Sequence, residues 1–436
     1  MSKFRLGILG FGTVGSGVFN VLRENHDEIL SKTGIDFEIV SILDLDHEKI
    51  ISVAKDKKMI AKDIDDLINT SDVVLELIGG TRIAFDFAKK ALNAKKHLVT
   101  ANKALIALHG TELFNLAKEN NVSILYEASV AGGIPIIKVL REGVVSNKVE
   151  WVAGILNGTT NYILTEMKNN GLSFETALSQ AQSLGYAEAD PTFDIEGIDA
   201  AHKITIIASI AFGVALNYND VFVEGISNLQ LKDVAYAEEL GYRIKLIGLA
   251  KKVNQDIEVR VHPTLISETQ LVANVDGPMN AVLVMGNMLG PTLYYGAGAG
   301  SDPTASAVLS DVIDLARSIS KGNKVFHIPS FGYEDSSLSS LKFKKINQIS
   351  SGYYIRANFI DAAGVLAKIT SLFADKNILI DEMHQKMLKK NQTENDVIIV
   401  VKNAQEKEIN GIIDDIQKMQ SNVGNVVKIR LEDLIK

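Results

Sequence analysis

The hydrophobic and polar positions in the first third of the chain follow two periods in alternation. Short apolar runs, typical of buried strands, are followed by stretches in which apolar residues return every three or four positions, which is typical of helices. Strands that alternate with helices pair in parallel, so the pattern predicts a doubly wound α/β sheet of the Rossmann type. The predicted strands are residues 4–9, 37–43, 73–78, 97–100 and 122–126, and the predicted helices are residues 14–30, 85–94 and 111–119.

From residue 151 the pattern changes to longer helices, at 173–184 and 199–214, and to strand-like alternation at 246–252 and 257–262. Two neighbouring alternating segments are typical of antiparallel pairing, so this part is predicted to be an α+β domain. The predicted division is a first domain over 1–150, a second domain over 151–320, and a polar, turn-rich linker over 321–350. Within the second range, the helix at 303–319 is expected to pack back on the first domain.

The last part, residues 351–436, forms a further predicted unit. Its order of elements is βαββαβ within about 80 residues, which is the ferredoxin-like split arrangement. The predicted strands are 354–360, 378–386, 396–402 and 426–430, and the predicted helices are 364–376 and 406–419.

Composition narrows the class of protein. The formal net charge of −8 argues against a nucleic-acid binder, and the absence of cysteine excludes disulfides and thiolate chemistry. The longest apolar stretch, residues 204–216, is shorter than the roughly 20 residues that span a bilayer. The N-terminus runs directly into a strand, without the pattern of a signal peptide. These features favour a cytoplasmic enzyme that binds neither nucleic acid nor membrane.

A glycine motif lies between the first predicted strand and the first helix. In such a G-x-G-x-x-G turn the first glycine permits the tight turn, the second lets the backbone approach a pyrophosphate, and the third allows close packing of helix on strand. The alternative is a glycine turn in an unrelated α/β domain. The motif consists of Gly10, Phe11, Gly12, Thr13, Val14 and Gly15.

The second strand ends at Leu43 and is followed by Asp44. An acidic residue at this position accepts hydrogen bonds from the ribose hydroxyls of NAD, whereas NADP requires a basic residue for its 2′-phosphate. The alternative is a turn aspartate without a ligand. The sequence thus favours NAD over NADP.

A cluster of charged residues between 185 and 203 is the most specific chemical feature. Asp199 and Lys203 are four residues apart on a predicted helix, so they project from one face, and a lysine beside a carboxylate can hydrogen-bond a substrate oxygen. Glu188, Asp190 and Asp194 precede them in a loop whose negative charge suits an ammonium group. The alternative is a helix ion pair beside a solvated acidic loop.

Three further segments carry polar residues at the ends of predicted elements. Lys103 follows the fourth strand, at the edge where ligands of doubly wound sheets bind. The segment 157–161, which contains Thr159, is either a helix cap or a substrate contact. The glycine-rich segment 296–303 predicts another close approach of backbone to ligand.

Taken together, these blocks resemble homoserine dehydrogenase, in the order GFGTVG, TANK, YEASVAGGIP, NGTTNYI, LGYAEADPTFDIEGIDAAHK and YGAGAGSDPTASAV. The resemblance covers nearly the whole chain to about residue 325, and it implies that residues 1–150 form a dinucleotide-binding domain and residues 151–320 a catalytic, substrate-binding and dimerisation domain. It implies the reversible NAD(P)H-dependent reduction of L-aspartate 4-semialdehyde to L-homoserine, in the biosynthesis of threonine, methionine and isoleucine.

The resemblance also implies roles for individual residues. Lys203 matches a proton donor, Lys103 a second lysine between cofactor and substrate, and Asp199 a substrate-contacting aspartate; which lysine is the donor stays open. Glu188 and Asp194 match carboxylates near the substrate amino group. Cofactor contacts are implied for Phe11, Gly12, Thr13, Val14, Thr100, Gly185 and Gly300, and a Na⁺ site for Glu127 with the main-chain oxygens of Val130, Gly132 and Ile134.

The C-terminal unit resembles an ACT domain, an amino-acid-sensing module that usually pairs. Residues 361–366 match its ligand loop, although Ala363 stands where a proline is frequent. The resemblance implies a homodimer or homotetramer, with L-threonine as a feedback inhibitor. Two other functions are weighed against the dehydrogenase: another oxidoreductase of amino-acid metabolism, and a non-catalytic sensor of dinucleotides and amino acids. The sensor is disfavoured because it has no need of two lysines and an acidic loop.

Overall fold

The first part of the chain folds as a five-stranded sheet in which every pair of neighbours is parallel. The computed structural model of the protein describes residues 3–387 and 394–434. The strand order β2-β1-β3-β4-β5 reverses between β1 and β3, which makes that crevice the ligand-binding point of a doubly wound sheet. The Rossmann-type prediction is confirmed. The elements are β1 Phe4–Leu9, α1 Thr13–Glu24, α2 His26–Thr33, β2 Phe37–Leu43, α3 His47–Ala54, α4 Ile64–Thr70, β3 Val73–Glu76, α5 Arg82–Asn93, β4 His97–Thr100, α6 Lys103–Glu119 and β5 Ile124–Leu125.

Side chains of this sheet alternate between two apolar layers. Val73 and Leu75 join one buried cluster with α1, whereas Val74 joins the other with α4, α5 and α6. The first predicted helix, residues 14–30, is two helices, because the chain leaves helical geometry at Asn25, with φ −103° and ψ 16°. The apolar period continues through both helices, so the pattern could not reveal the break.

The second part is an antiparallel sheet with a buried helix across it. Its strands follow the order β11-β10-β6-β8-β9, and the predicted pairing of residues 246–252 with 257–262 lies inside the longer pair β8–β9. The α+β prediction is thereby confirmed. The elements are α7 Ile136–Lys138, β6 Val149–Ile155, α8 Gly158–Asn170, α9 Phe174–Ser183, α10 Thr192–Ile195, α11 Ile198–Phe212, β7 Phe222–Val223, α12 Leu231–Glu239, β8 Tyr242–Val253, β9 Asp256–Ser267, β10 Met279–Gly286, β11 Gly290–Ala297 and α13 Ser301–Ser320.

Two helices of this second part bring the two parts together. Helix α11 is buried from Asp199 to Phe212 and lies between the antiparallel sheet and α6 of the first part. Helix α13 returns to the parallel sheet, where Val308 and Val312 join the apolar cluster of β1 and α1. The start of α6 and the start of α11 therefore face each other across the boundary between the two parts.

The last part has the predicted βαββαβ order. Its four strands form an antiparallel sheet in the order β16-β13-β15-β14, with both helices packed on one apolar cluster. Strand β16 also pairs in parallel with β9, so this sheet continues the antiparallel sheet of the second part. The elements are β12 Lys342–Phe343, β13 Ser350–Ile360, α14 Val365–Asp375, β14 Glu382–Met387, β15 Glu394–Gln405, α15 Glu406–Gln417 and β16 Val427–Leu431.

Residues 321–350, predicted as a linker, pack along the first part, with the parallel sheet, and the second part, with the antiparallel sheet. The hydroxyl of Tyr126 donates to the main-chain oxygen of Ser330, and that of Tyr333 donates to the main-chain oxygen of Ala211. Strand β12 pairs with β9. Tyr333 within this otherwise polar segment, and Tyr126 at the end of the parallel-sheet part, hold the segment in place. In the described part of the chain, no helix has both the length and the apolar character needed to cross a membrane.

Candidate active site

The glycine motif forms the turn between β1 and α1, at the crevice where the strand order reverses. A Cβ on Gly10, whose φ is +91°, would lie 2.7 Å from the main-chain oxygen of Leu77, and one on Gly15 would lie 2.1 Å from the oxygen of Gly10. A Cβ on Gly12 would meet no atom within 4 Å. Two glycines thus allow close packing, and the middle one leaves open space at the N-terminus of α1. This geometry fits a dinucleotide pyrophosphate.

Asp44 holds this glycine turn from the end of β2. Its Oδ2 accepts a hydrogen bond from the main-chain nitrogen of Phe11, at 2.5 Å, and its Oδ1 accepts one from that of Asp46, at 2.9 Å. The carboxylate thus lies beside the glycine turn, as a ribose-binding residue requires. The residue before it is Leu43, which carries no charge for a 2′-phosphate.

A buried carboxylate that the sequence reasoning missed organises the next two strand ends. Glu76 ends β3 and is fully buried, and it accepts hydrogen bonds from the hydroxyl of Thr100 and the main-chain nitrogen of Ile78. Burial raises its pKa to about 7, although these hydrogen bonds oppose the shift. The signal was an acidic residue at the end of an apolar strand, at the ligand edge of the sheet. Thr100, an implied cofactor contact, is itself fully buried and bonded to Glu76.

Asp199 lies between the two lysines. Its Oδ2 is 2.7 Å from Nζ of Lys203, one helical turn along α11, and its Oδ1 is 2.7 Å from Nζ of Lys103, at the start of α6. Lys203 also donates to the main-chain oxygen of Leu156, at 2.7 Å. The three side chains that spacing and resemblance singled out therefore form one chain of charge-assisted hydrogen bonds.

The two lysines of this chain differ in pKa. Burial lowers the pKa of Lys203, and this effect outweighs the charge and hydrogen bond of Asp199, which raise the pKa; the positive charge of Lys103 acts in the same direction as burial. Burial acts on Lys103 as well, but the charges of Asp199, Asp194 and Glu188 raise its pKa overall. Burial opposes ionisation of Asp199, yet the two lysines hold its pKa well below the ordinary range. Groups with pKa values separated in this way take different roles in acid–base chemistry.

Asn157 connects the two aspartates of the site. Its Nδ2 donates to Oδ1 of Asp194 at 2.7 Å and to Oδ2 of Asp199 at 2.8 Å, and its Oδ1 accepts from the main-chain nitrogen of Thr160. The segment 157–161 is thus a helix cap, and its capping residue also orients the carboxylates. Thr159, a predicted substrate contact, donates its hydroxyl to the main-chain oxygen of Tyr186 and so ties α8 to the acidic loop.

The acidic loop places its carboxylates at different depths. Asp194 is partly buried in α10, and burial, with the charge of Asp199, raises its pKa. Glu188 is exposed, yet its charge reaches Lys103. Gly185 follows the end of α9 with φ +77°, and a Cβ at this position would meet no atom of the described residues within 4 Å. Gly300 comes just before α13, where the neighbouring Ser301 donates its hydroxyl to the main-chain oxygen of Thr13 in the glycine turn.

Glu127 follows the parallel sheet and is buried. Its two carboxylate oxygens accept hydrogen bonds from the main-chain nitrogens of Ile137 and Lys138, at 2.9 and 2.8 Å. Burial, with the nearby charge of Asp311, raises its pKa to about 8. The loop beside it turns through two left-handed residues, Ala131 and Gly132, with φ +55° and +52°. A buried carboxylate beside a tight loop fits a cation, since a bound positive charge favours the ionised carboxylate.

A cavity of about 510 Å³ joins the glycine turn to the lysine–aspartate chain. One wall comes from the ends of strands in the parallel sheet, and the other comes from α10 and α11. The lining residues include Val14, Leu77, Gly79, Asn102, Lys103, Phe193 and His202.

A dinucleotide-binding turn that opens into a cavity beside Lys103, Asp199 and Lys203 is the arrangement expected of a nicotinamide-dependent dehydrogenase. Residues 10–127 match the family model described as homoserine dehydrogenase, NAD binding domain, and residues 135–313 match the model described as homoserine dehydrogenase. The chain belongs to the homoserine dehydrogenase family.

Full-length relatives support this assignment. A homoserine dehydrogenase of Neisseria gonorrhoeae is 46% identical over 436 residues, and one of Pseudomonas aeruginosa is 45% identical; each alignment covers 100% of both chains. Among solved structures, a homoserine dehydrogenase from Thiobacillus denitrificans superimposes with a TM-score of 0.94 at 46% identity, over 100% of this chain and 99% of that one.

Proposed function

We propose that the protein catalyses the reversible reduction of L-aspartate 4-semialdehyde to L-homoserine with a nicotinamide dinucleotide. The observation that carries the proposal is the pair of 2.7 Å contacts that join Asp199 to Lys203 and to Lys103 at the wall of the cofactor cavity. Reduction of an aldehyde needs a hydride donor on one side of the carbonyl and a proton for its oxygen. The bound cofactor supplies the hydride, and the lysines supply the proton and stabilise the negative charge on the carbonyl oxygen.

Lys203 is the better proton donor of the two, because its lowered pKa brings it closer to neutrality. Lys103, whose pKa is raised, stays cationic and stabilises the negative charge that develops on the substrate oxygen. Asp199 keeps both lysines in place and becomes neither an acid nor a base itself, because its own pKa is far below neutrality.

The amino group of the substrate is assigned to the carboxylates of Asp194 and Glu188. Asp194 is held by Asn157 beside Asp199, so an ammonium bound there lies next to the two lysines that act on the oxygen. Thr159 contributes through the main chain of the acidic loop that it anchors.

The test of this function is an assay of homoserine oxidation with NAD and with NADP, alongside a panel of other amino alcohols and semialdehydes. Homoserine is expected to give the highest kcat/KM of the panel. Turnover of a different amino alcohol in preference to homoserine would overturn the substrate assignment. The same assay tests the cofactor: with Leu43 and Asp44 at the ribose end, NAD is expected to be used more efficiently than NADP.

We propose a Na⁺ site at Glu127 with the main-chain oxygens of Val130, Gly132 and Ile134. It is supported by the burial of Glu127 and by the left-handed turn beside it. Added Na⁺ is expected to raise the thermal stability of the wild type, relative to a bulky organic cation, and to leave Glu127→Gln unchanged. Equal responses of the two proteins would contradict the site.

The C-terminal unit is proposed to be an ACT domain that binds L-threonine. Support comes from its βαββαβ order and from a cavity of about 280 Å³, formed by residues 359–367 with Gln385, Asn395 and Val397. Threonine is expected to bind in calorimetry and to reduce turnover. If millimolar threonine changes neither activity nor thermal stability, the sensing role fails.

A homodimer or homotetramer is proposed on the basis of exposed apolar side chains along the outer hairpin β10–β11, where Met288, Leu289 and Tyr295 face solvent. Light scattering coupled to size-exclusion chromatography measures the mass directly, and a 47.4 kDa species would contradict the proposal. A cytoplasmic location stays a prediction from composition.

A further inference from the structure

His202 lines the cofactor cavity with an unsatisfied polar atom. The residue is 4% exposed, and its Nδ1 is buried without a hydrogen-bond partner in the described part of the chain. Of the described residues that line the cavity, His202 alone has a buried side-chain polar atom without a hydrogen-bond partner. A buried polar atom without a partner destabilises the protein by about 1–3 kcal/mol, so its retention in a residue that lines a ligand cavity points to a ligand-binding role for the imidazole.

The imidazole of His202 is fixed in orientation by two aromatic neighbours. The ring of Tyr218 stacks on it at 4.5 Å between centroids, and the ring of Phe193 lies at 5.4 Å. Phe193 in turn lies 5.6 Å from Nζ of Lys103. A ring held in this way presents its nitrogens in a fixed direction, beside the lysine that acts on the substrate oxygen.

The charge of His202 limits the kind of ligand group that it can bind. Burial lowers its pKa to about 4, with the charges of Lys103 and Lys203 acting in the same sense against Asp199. The imidazole is therefore neutral at pH 7 and offers one donor and one acceptor. A ligand carboxylate would bind the cationic lysines nearby more strongly than this neutral imidazole. A neutral amide, which also has one donor side and one acceptor side, matches the imidazole.

The cavity itself indicates where such an amide lies. The wall opposite His202 comes from the glycine-turn residue Val14, from the segment 77–81 after β3, and from the segment 101–104 after β4. These are the ligand-binding ends of the parallel strands, and they adjoin the chain of Lys103, Asp199 and Lys203. The part of a dinucleotide that must reach that chain is its nicotinamide end.

We propose that the imidazole of His202 hydrogen-bonds the carboxamide of the nicotinamide ring and so sets the ring's orientation toward the substrate. The inference rests on the dehydrogenase function proposed above and adds a cofactor-binding residue to it. His202 follows Asp199 by three positions and precedes Lys203, so one turn of α11 holds both the substrate and the reactive ring.

The test compares two variants by direct titration of NADH or NADPH, whichever the wild type binds more tightly, with no substrate present. His202→Phe keeps a ring between Tyr218 and Phe193 but removes both nitrogens. His202→Asn keeps a hydrogen-bonding group near the position of Nδ1 but removes the ring. Loss of one hydrogen bond corresponds to about a 3- to 10-fold higher Kd for His202→Phe, and His202→Asn should retain part of the affinity.

Two cofactor analogues make the test specific for the carboxamide. The 3-acetylpyridine analogue lacks the amide nitrogen, and the thionicotinamide analogue has a weaker acceptor. The difference in Kd between wild type and His202→Phe should shrink on at least one of them. An equal difference on all three dinucleotides, or none on any, would overturn the inference. If the wild type itself binds no dinucleotide, the proposed function fails instead. Thermal unfolding of the free variants checks that each is folded.

Discussion

At the scale of single residues, the site separates the role of Lys203 from the roles of its neighbours. Replacing Lys203 by Met keeps most of its volume and does not leave Asp199 unpaired, because Lys103 still lies 2.7 Å from Oδ1. The variant should therefore fold. We expect its turnover to fall by about 10²- to 10⁴-fold, the usual contribution of a positioned general acid. The Kd of the nicotinamide cofactor should change little.

Glu188→Gln is the matched control for this prediction, because it removes an exposed charge from the same site without touching the proton donor. It should raise KM for homoserine more than it lowers kcat. Near-normal kcat in Lys203→Met would contradict the assignment of the proton donor and would transfer that role to Lys103.

The pKa of Lys203 leads to a second expectation at this scale. In the reductive direction, kcat should fall as pH rises through the lowered pKa of Lys203, because the deprotonated amine has no proton to give. Asp199 raises that pKa against burial, so Asp199→Asn should lower it further. The alkaline limb of the kcat–pH profile should then move toward lower pH, by about 1–3 units for loss of a contacting opposite charge. An alkaline limb that stays in place would show that Lys203 does not control it.

The sequence allowed part of this site to be predicted. The four-residue spacing of Asp199 and Lys203 placed them on one helix face, because a helix brings every fourth residue into register. The position of Lys103 after the fourth strand predicted that it lies at the ligand edge of the sheet, but spacing could not show that it contacts Asp199 from 96 positions away. Glu76 was missed because its partner, Thr100, comes from a neighbouring strand. The lack of a hydrogen-bond partner among the described residues for Nδ1 of His202 could not be predicted from the sequence, because it depends on how distant side chains pack around the ring.

At the scale of elements, the turn between β1 and α1 allows a matched pair of substitutions. A methyl group at Gly12 meets no protein atom, whereas one at Gly15 would lie 2.1 Å from the main-chain oxygen of Gly10. The free energy of unfolding of Gly12→Ala should therefore lie within about 0.5 kcal/mol of the wild-type value. Its Kd for NAD(H) should nevertheless be at least about 10-fold higher, because the methyl group prevents close approach of the pyrophosphate to the backbone. Gly15→Ala should lose stability even without cofactor. Wild-type affinity in Gly12→Ala would place the pyrophosphate elsewhere.

Local patterns specified some elements more sharply than others. Strands β1, β2 and β4 begin and end at the predicted residues, because each is a buried apolar run bounded by turn residues. Strand β5 has two residues where five were predicted, since pairing with β4 ends there. The linker was predicted from its polar, turn-rich composition, and its packing depends on a few aromatic residues that contact distant parts of the chain.

At the scale of the whole molecule, the C-terminal unit is continuous with the rest of the fold. Strand β16 pairs with β9 through Arg430 with Thr264 and Leu431 with Leu265. A local sequence pattern cannot indicate a pairing between strands more than 160 positions apart. The sequence therefore predicted a separate C-terminal unit after a linker, without its pairing to β9. Ion pairs of two buried arginines accompany the sheet contact: Arg430 contacts the partly exposed Glu224 at 2.7 Å, and Arg356 contacts the buried Asp233 at 2.5 Å.

The pair of Arg356 and Asp233 tests whether the C-terminal unit and the catalytic sheet unfold together. Both side chains are nearly fully buried, and Nη2 of Arg356 also donates to Oδ2 of Asp233 at 3.0 Å. Arg356→Met leaves a buried carboxylate without its cation and should lower the free energy of unfolding by about 3–5 kcal/mol. Adding Asp233→Asn removes the unpaired charge and should restore part of the loss. The single tryptophan, Trp151, lies on β6 and reports unfolding of the catalytic sheet by fluorescence in urea. If Arg356→Met leaves the urea midpoint of the Trp151 fluorescence transition unchanged, the two units unfold independently.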